Sequence, residues 1–211
     1  MAIVSSGIFA TINADLLYRA LQVHRFAGVD NSRPYLGCVK LVSEKNLFRT
    51  IATDGKALAI FEAPTFTENT FFEVFIPLNA AKDLFQRIAL KRCRTDYIRI
   101  QKSGDTTSFL LPSVTQRVQH DPVFDDYPSW VPLIPERAEQ AVPEIGIAIL
   151  QLARVSEYLK AVFEPKVKDH FPKFARMQIG ADALVPLIFE VEGRDELIGC
   201  KAKIVQMLCR I

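Results

Sequence analysis

An α+β fold of repeated βαβββ units, with helices on one face of antiparallel sheets, follows from three observations on this 211-residue sequence. Short stretches of period-two alternation recur in groups of three, and each group follows a segment whose apolar residues are three and four apart. That order of elements comes round three times along the chain. Turn residues and glycine separate the strands, and no long polar tract breaks the sequence into an unfolded part.

Ile8, Ala10 and Ile12 alternate as a first strand, and Asn13 offers an N-cap. Leu17, Ala20, Leu21 and His24 then fall at helical spacing, which predicts an amphipathic helix over residues 14–26 with Asp15, Arg19, Gln22 and Arg25 on its polar face. After a polar loop, strands are predicted at Tyr35–Ser43, Leu47–Thr53 and Ala57–Glu62, with Gly55 marking the last turn. The second unit repeats this order. A strand at Phe72–Ile76 leads to a helix capped by Asn79 and carrying Ala81, Leu84, Phe85 and Ile88, with Lys82, Arg87 and Lys91 outward. Strands follow at Tyr97–Gln101, Thr107–Leu111 and Thr115–Gln119. Residues 122–143 are rich in proline, which blocks helix interiors and removes sheet donors, so they read as an extended linker. A third unit starts at Glu144, with alternating Ile145, Ile147 and Ile149 and a helical stripe of Leu152, Val155, Leu159 and Val162. Its strands are expected at Phe174–Ile179, Leu187–Val191 and Lys203–Leu208.

With 49% hydrophobic residues the chain can build one large or two modest cores. Its formal net charge of +2 does not announce a nucleic-acid binder, so any DNA contact must come from local segregation of charge. No apolar run reaches bilayer length and no basic region followed by an apolar one opens the chain, which points to a cytoplasmic protein. Cys38, Cys93, Cys200 and Cys209 are scattered without C-x-x-C spacing, as expected of reduced, buried thiols.

Three segments carry a family resemblance. Arg33-Pro-Tyr-Leu-Gly followed by Leu47-Phe-Arg-Thr-Ile-Ala-Thr-Asp-Gly-Lys-Ala-Leu-Ala resembles the R-x-Y-L and T-D-G-x-R-L-A segments of the middle domain of bacterial DNA sliding clamps, the DNA polymerase III beta subunits. Phe124-Asp-Asp-Tyr-Pro-Ser-Trp-Val-Pro132 resembles the F-P-D-Y-x-x-x-x-P stretch that closes that domain. Val205-Gln-Met-Leu-Cys-Arg-Ile211 resembles the C-terminal V-V-M-P-M-R-L. Residues 1–132 are similar to a complete clamp domain of two βαβββ halves. Residues 133–211 are similar to a linker and the second half of the last domain, while the family's first domain and the first half of its last have no counterpart.

The resemblance implies the DNA-clamp (processivity) fold and a protein that tethers a polymerase or repair partners to duplex DNA without reading sequence. It implies no cofactor and no metal, a homo-oligomer, and a clamp loader among the partners. By resemblance, Leu36, Thr53, Gly55, Lys56, Ala57, Leu58 and Pro132 line one side of a partner-peptide pocket, and Val205, Gln206, Met207, Leu208, Cys209 and Arg210 close the other. Ala57 stands where the family carries Arg, and Leu208-Cys209 replaces Pro-Met. The helices of a clamp face DNA, which nominates Arg19, Arg25, Arg33, Lys82, Arg87, Lys91, Arg154 and Lys160 for phosphate contacts. Charge alone would read these as ordinary solvated faces, since Asp15, Asp83 and Glu157 interrupt them.

Enzymatic motifs are lacking: there is no G-x-S-x-G, no phosphate-binding glycine loop and no H-E-x-x-H. His120, Asp121, Asp125 and Asp126 form a local cluster, but a surface turn with Asx capping accounts for it better than a metal site. The expected alternative to a ring on DNA is a clamp-derived adaptor or decoy that binds clamp-interacting peptides. One and a half clamp domains would leave the Leu152–Val162 stripe uncovered, so pairing with a second chain through that stripe is expected. Folding back of the half-domain onto its own chain is the other possibility.

Overall fold

In the computed structural model, residues 7–29, 32–44, 47–64, 71–91, 97–112, 114–131, 149–163, 176–178, 187–192 and 200–206 are described. Strand β1 (Gly7–Asn13) runs into helix α1 (Ala14–Ala20), whose N-cap is Asn13: its side chain accepts from the backbone N–H of Asp15 at 2.9 Å and of Leu16 at 3.3 Å. The predicted helix over 14–26 divides. The Thr50 hydroxyl donates to the Ala20 carbonyl at 2.7 Å, and the chain tightens into a 3-10 helix over Leu21–Phe26. Pro34–Leu36 forms a second 3-10 turn, so strand β2 (Cys38–Glu44) begins later than the alternation suggests. Strands β3 (Leu47–Thr53) and β4 (Ala57–Pro64) complete the first unit.

The second unit has β5 (Phe72–Pro77), α2 (Leu78–Lys91), β6 (Tyr97–Ser103), β7 (Thr106–Leu111) and β8 (Val114–Gln119). Asn79 lies inside α2 and does not cap it. The helix starts one residue earlier, where the Leu78 N–H donates to the Gly37 carbonyl at 2.9 Å. The Pro-rich segment also departs from an extended linker at its start. Pro122–Asp126 is a 3-10 turn, because Phe124 and Tyr127 must reach the sheet and are buried there. In the third unit the expected strand over Ile145–Ile149 falls on residues 145–148, outside the described residues, and Ile149 already opens helix α3 (Ile149–Phe163). Strands β9 (Arg176–Gln178), β10 (Leu187–Glu192) and β11 (Lys201–Gln206) follow.

Each of the first two units lends its opening strand to the other's sheet. Strand β1 pairs antiparallel with β6 (Ile12 opposite Ile98), and β5 pairs antiparallel with β2 (Ile76 opposite Val39). The result is a four-stranded sheet, β1-β6-β7-β8, and a seven-stranded sheet, β5-β2-β3-β4-β11-β10-β9. The larger sheet crosses from the first unit into the third through the antiparallel β4–β11 pair, which sets Leu58 opposite Val205 and Ala57 opposite Gln206.

Helix α1 packs against both α2 and α3, and Tyr18 stacks on Phe85 with centroids 4.7 Å apart. Beneath the helices runs the main core, with Leu17, Leu21, Phe26, Phe48, Phe61, Leu84 and Phe109 fully enclosed. A second cluster covers the opposite face of the larger sheet, where Phe124 and Tyr127 pack on Cys38, Ile51, Leu58, Ile60, Phe75 and Val205. Strands covered on both faces need apolar residues at successive positions, which explains the near-continuous run Ala57-Leu-Ala-Ile-Phe of β4.

Candidate functional site

The turn between β3 and β4 is built by its own side chains. The Thr53 hydroxyl donates to the Ala57 carbonyl at 2.8 Å and accepts from the Gly55 N–H at 3.0 Å. Asp54 Oδ1 accepts from the Lys56 and Ala57 N–H groups, both at 2.9 Å, closing an Asx turn. Gly55 takes φ 82°, which calls for glycine, and a Cβ there would lie 2.5 Å from the Arg33 guanidinium, the end of a flexible side chain that would have to move aside. Gly28 ties this turn to its neighbour: its N–H is shared between the Leu36 carbonyl at 2.9 Å and the Thr53 carbonyl at 3.1 Å. A Cβ on Gly28 would sit 3.0 Å from that of Leu36.

Around this turn lies a cavity of about 320 Å³, lined by Arg33, Tyr35, Leu36, Thr53, Gly55, Lys56, Ala57, Leu58, Asp126, Pro128 and Val205. Four segments meet there: the Pro34–Leu36 turn, the β3–β4 turn, the end of β11 and the segment after Pro122–Asp126. Seven of the residues nominated from the sequence (Leu36, Thr53, Gly55, Lys56, Ala57, Leu58 and Val205) are brought together. Gln206 is opposite Ala57 in the β4–β11 ladder. Pro132, Met207, Leu208, Cys209 and Arg210 lie outside the described residues. Arg33, nominated for DNA, stands in the cavity wall instead, and Tyr35, Asp126 and Pro128 were not nominated. The signal for Tyr35, Asp126 and Pro128 was present, since they belong to two of the three segments that carry the resemblance.

The basic residues nominated for DNA divide. Arg19 is only 6% exposed: its Nε donates to Asp15 at 2.8 Å and its guanidinium also donates to the Val162 carbonyl of α3. It is not available to a phosphate, because α3 covers that face of α1, and Gln22 is buried with it. Arg154 faces inward as well. Its guanidinium lies 4.4 Å over the Phe26 ring, donates to Asp54 at 2.7 Å and also donates to the Arg25 carbonyl. Arg25 remains partly exposed, 3.7 Å from Glu157. Lys82, Arg87 and Lys160 are exposed, and Lys91 ends α2. Burial, with Arg25 and Lys82 nearby, holds the His24 imidazole below its ordinary pKa against the Leu21 carbonyl, so His24 adds no charge to that surface near pH 7.

Helix α3 covers its own apolar stripe within the chain. Val155, Leu159 and Val162 are buried in the main core, Tyr158 meets Phe26 edge-on at 5.3 Å, and Leu152 alone of the stripe stays 38% exposed. The motive for a second chain at this stripe is thereby removed, and folding back describes these residues.

The His120–Asp126 cluster is a capped turn. Asp121 accepts from the Val123 N–H at 3.1 Å, and His120 lies 3.1 Å from Asp125. Among the described residues no group of three His, Cys, Asp or Glu is placed to hold a metal ion. Cys38 and Cys200 are buried, and burial pushes their thiols up to about 12 and about 11. Among the described residues no helix is long and apolar enough to cross a membrane.

The sequence matches no protein-family model, and no curated protein matches it. Solved structures do match. The DNA polymerase sliding clamp from Pseudomonas aeruginosa aligns with 100% of this chain and 69% of its own at TM-score 0.77 and 14% identity. The C. crescentus beta sliding clamp aligns with 100% of this chain and 68% of its own at TM-score 0.73 and 15% identity. The DNA polymerase III beta subunit from Thermotoga maritima covers the same shares at TM-score 0.68 and 17% identity. At these identities the likeness is one of fold: the chain has the sliding-clamp fold.

Proposed function

From the sliding-clamp fold, we propose that this chain is a non-enzymatic sliding clamp or clamp-like processivity factor that tethers a polymerase or repair protein near duplex DNA. The observation that carries this reading is the cavity at the β4–β11 junction, with Leu36, Leu58 and Val205 apolar and Arg33, Lys56 and Asp126 at hand for polar groups. Such a groove accepts a short peptide by burying its large apolar side chains, each contributing roughly 1.5–3 kcal/mol. Fluorescence polarisation with a labelled peptide bearing Leu and Phe anchors tests it directly. Saturable binding is expected, weakened about tenfold or more by Tyr35→Ala, whose half-exposed side chain can be removed without opening the core. A peptide that binds the variant equally well, or neither protein, overturns the cavity's role.

DNA is the second proposed partner, contacted without sequence reading through Lys82, Arg87, Lys91, Lys160 and Arg25. Each phosphate contact removed lowers the salt slope of binding by about one. A Lys82→Ala, Arg87→Ala double variant is therefore expected to lose affinity at low salt and to show a shallower slope. One observation favours a peptide-binding adaptor that forms no ring: Arg19 and Arg154, nominated for phosphates, are engaged inside the chain. Salt-resistant retention on circular but not linear DNA is the mark of a ring of several copies. Equal release from both marks the adaptor.

A further inference from the structure

Asp54 does two things at once. Its Oδ1 accepts the Lys56 and Ala57 N–H groups that shape the cavity turn, and its Oδ2 accepts from Arg154 at 2.7 Å. Arg154 comes from α3, 100 residues away in sequence. It is itself held on three sides, by Asp54, by the Phe26 ring and by the Arg25 carbonyl. Arg154 does not line the cavity, yet it fixes the carboxylate on which the cavity turn hangs. A salt-bridged carboxylate with both oxygens occupied is a stiffer anchor for a turn than one turning freely into solvent.

We infer that Arg154 is a positioning residue for the cavity: through Asp54 it makes the docking of helix α3 a condition for the binding-competent shape of the Thr53–Lys56 turn. The two βαβββ contributions to the cavity, one from the first unit and one from the third, are thus coupled on the helix side of the sheet as well as through the β4–β11 ladder. The Asp54 environment agrees with this. Burial raises the carboxyl pKa, but the hydrogen bonds from Arg154, Ala57 and Lys56 and the Arg154 charge outweigh it and hold the group below its ordinary value. The consequence for binding rests on the peptide reading above, whereas the consequence for the turn does not.

The test uses the full chain and two readouts. Amide hydrogen exchange of the unliganded protein reports the turn alone. Arg154→Ala is expected to raise exchange at the Lys56 and Ala57 amides about tenfold, the loss set by one charge-assisted hydrogen bond, while amides of β6 and β7 keep their rates. Asp54→Asn keeps an acceptor for both amides but loses the ion pair, and guards against the first variant's failing to fold. Ser156→Ala, exposed on the same helix, is expected to leave both readouts unchanged. Peptide affinity by polarisation is the second readout. Arg154→Ala and Asp54→Asn should each weaken binding several-fold, their combination no more than either alone, and Arg154→Lys should recover part of the loss. Unchanged exchange at Lys56 and Ala57 in both folded variants overturns the inference, and so do additive effects on affinity. Absence of peptide binding by the unmodified chain would count against the peptide reading only, with exchange still deciding the role of Arg154.

Discussion

Gly55 sits at φ 82° with the Arg33 guanidinium where a side chain would go, so its replacement brings backbone strain and displaces the flexible end of a cavity residue. Gly55→Ala is expected to cost about 1–2 kcal/mol, read as a lower urea midpoint at unchanged slope. Tyr158 presents the opposite case. It is fully buried beneath its own helix α3, edge-on to Phe26, and its hydroxyl has no hydrogen-bond partner among the described residues. A buried hydroxyl without a partner costs about 1–3 kcal/mol, so Tyr158→Phe is expected to melt at the same temperature or higher. A melting point several degrees lower would reveal a partner for that hydroxyl. The turn chemistry at Thr53–Ala57 is legible in the sequence because each of its bonds spans two to four residues. The true place of Arg33 is not, because it depends on the approach of a turn some twenty residues later.

Among the elements, α1 departs most from its periodic pattern. The apolar spacing of Leu17, Ala20 and Leu21 fits an α-helix and a 3-10 helix almost equally well over so short a stretch, and the deciding bond comes from Thr50 on β3. The fate of its polar face was equally hidden, since Arg19 is held by the Val162 carbonyl of α3, 143 residues away, and Gln22 is buried. Helix α3 itself was legible as amphipathic, but not what it would cover. With Leu159 in the main core, Leu159→Glu places an unpaired carboxylate there and is expected to destabilise the chain by at least about 3 kcal/mol. Thermal melting followed by circular dichroism, with light scattering on the same samples, checks it. A variant that keeps its melting point while halving in mass would instead make the stripe an interface between copies.

At the scale of the whole molecule, three repeating units share two sheets, and the larger sheet joins the first unit to the third through β4 and β11. That the two strands would meet is legible from the resemblance of their sequences to segments that close one pocket. The interchange of β1 and β5 between the first two units is carried by long-range pairing that no local pattern encodes.

The β4–β11 seam also has a bearing on solubility. Strand β4 reads Ala57-Leu-Ala-Ile-Phe-Glu-Ala-Pro64, an apolar run with one charge, and β11 satisfies the backbone groups along its outer edge. A fragment ending at Val131 would leave that edge open, the kind of template on which chains add to one another without limit. Such a fragment is expected to precipitate or bind thioflavin at concentrations where the full chain stays dispersed. Pairing by β11 is in this sense a built-in restraint on fibre growth, maintained by the strand that also furnishes Val205 to the cavity.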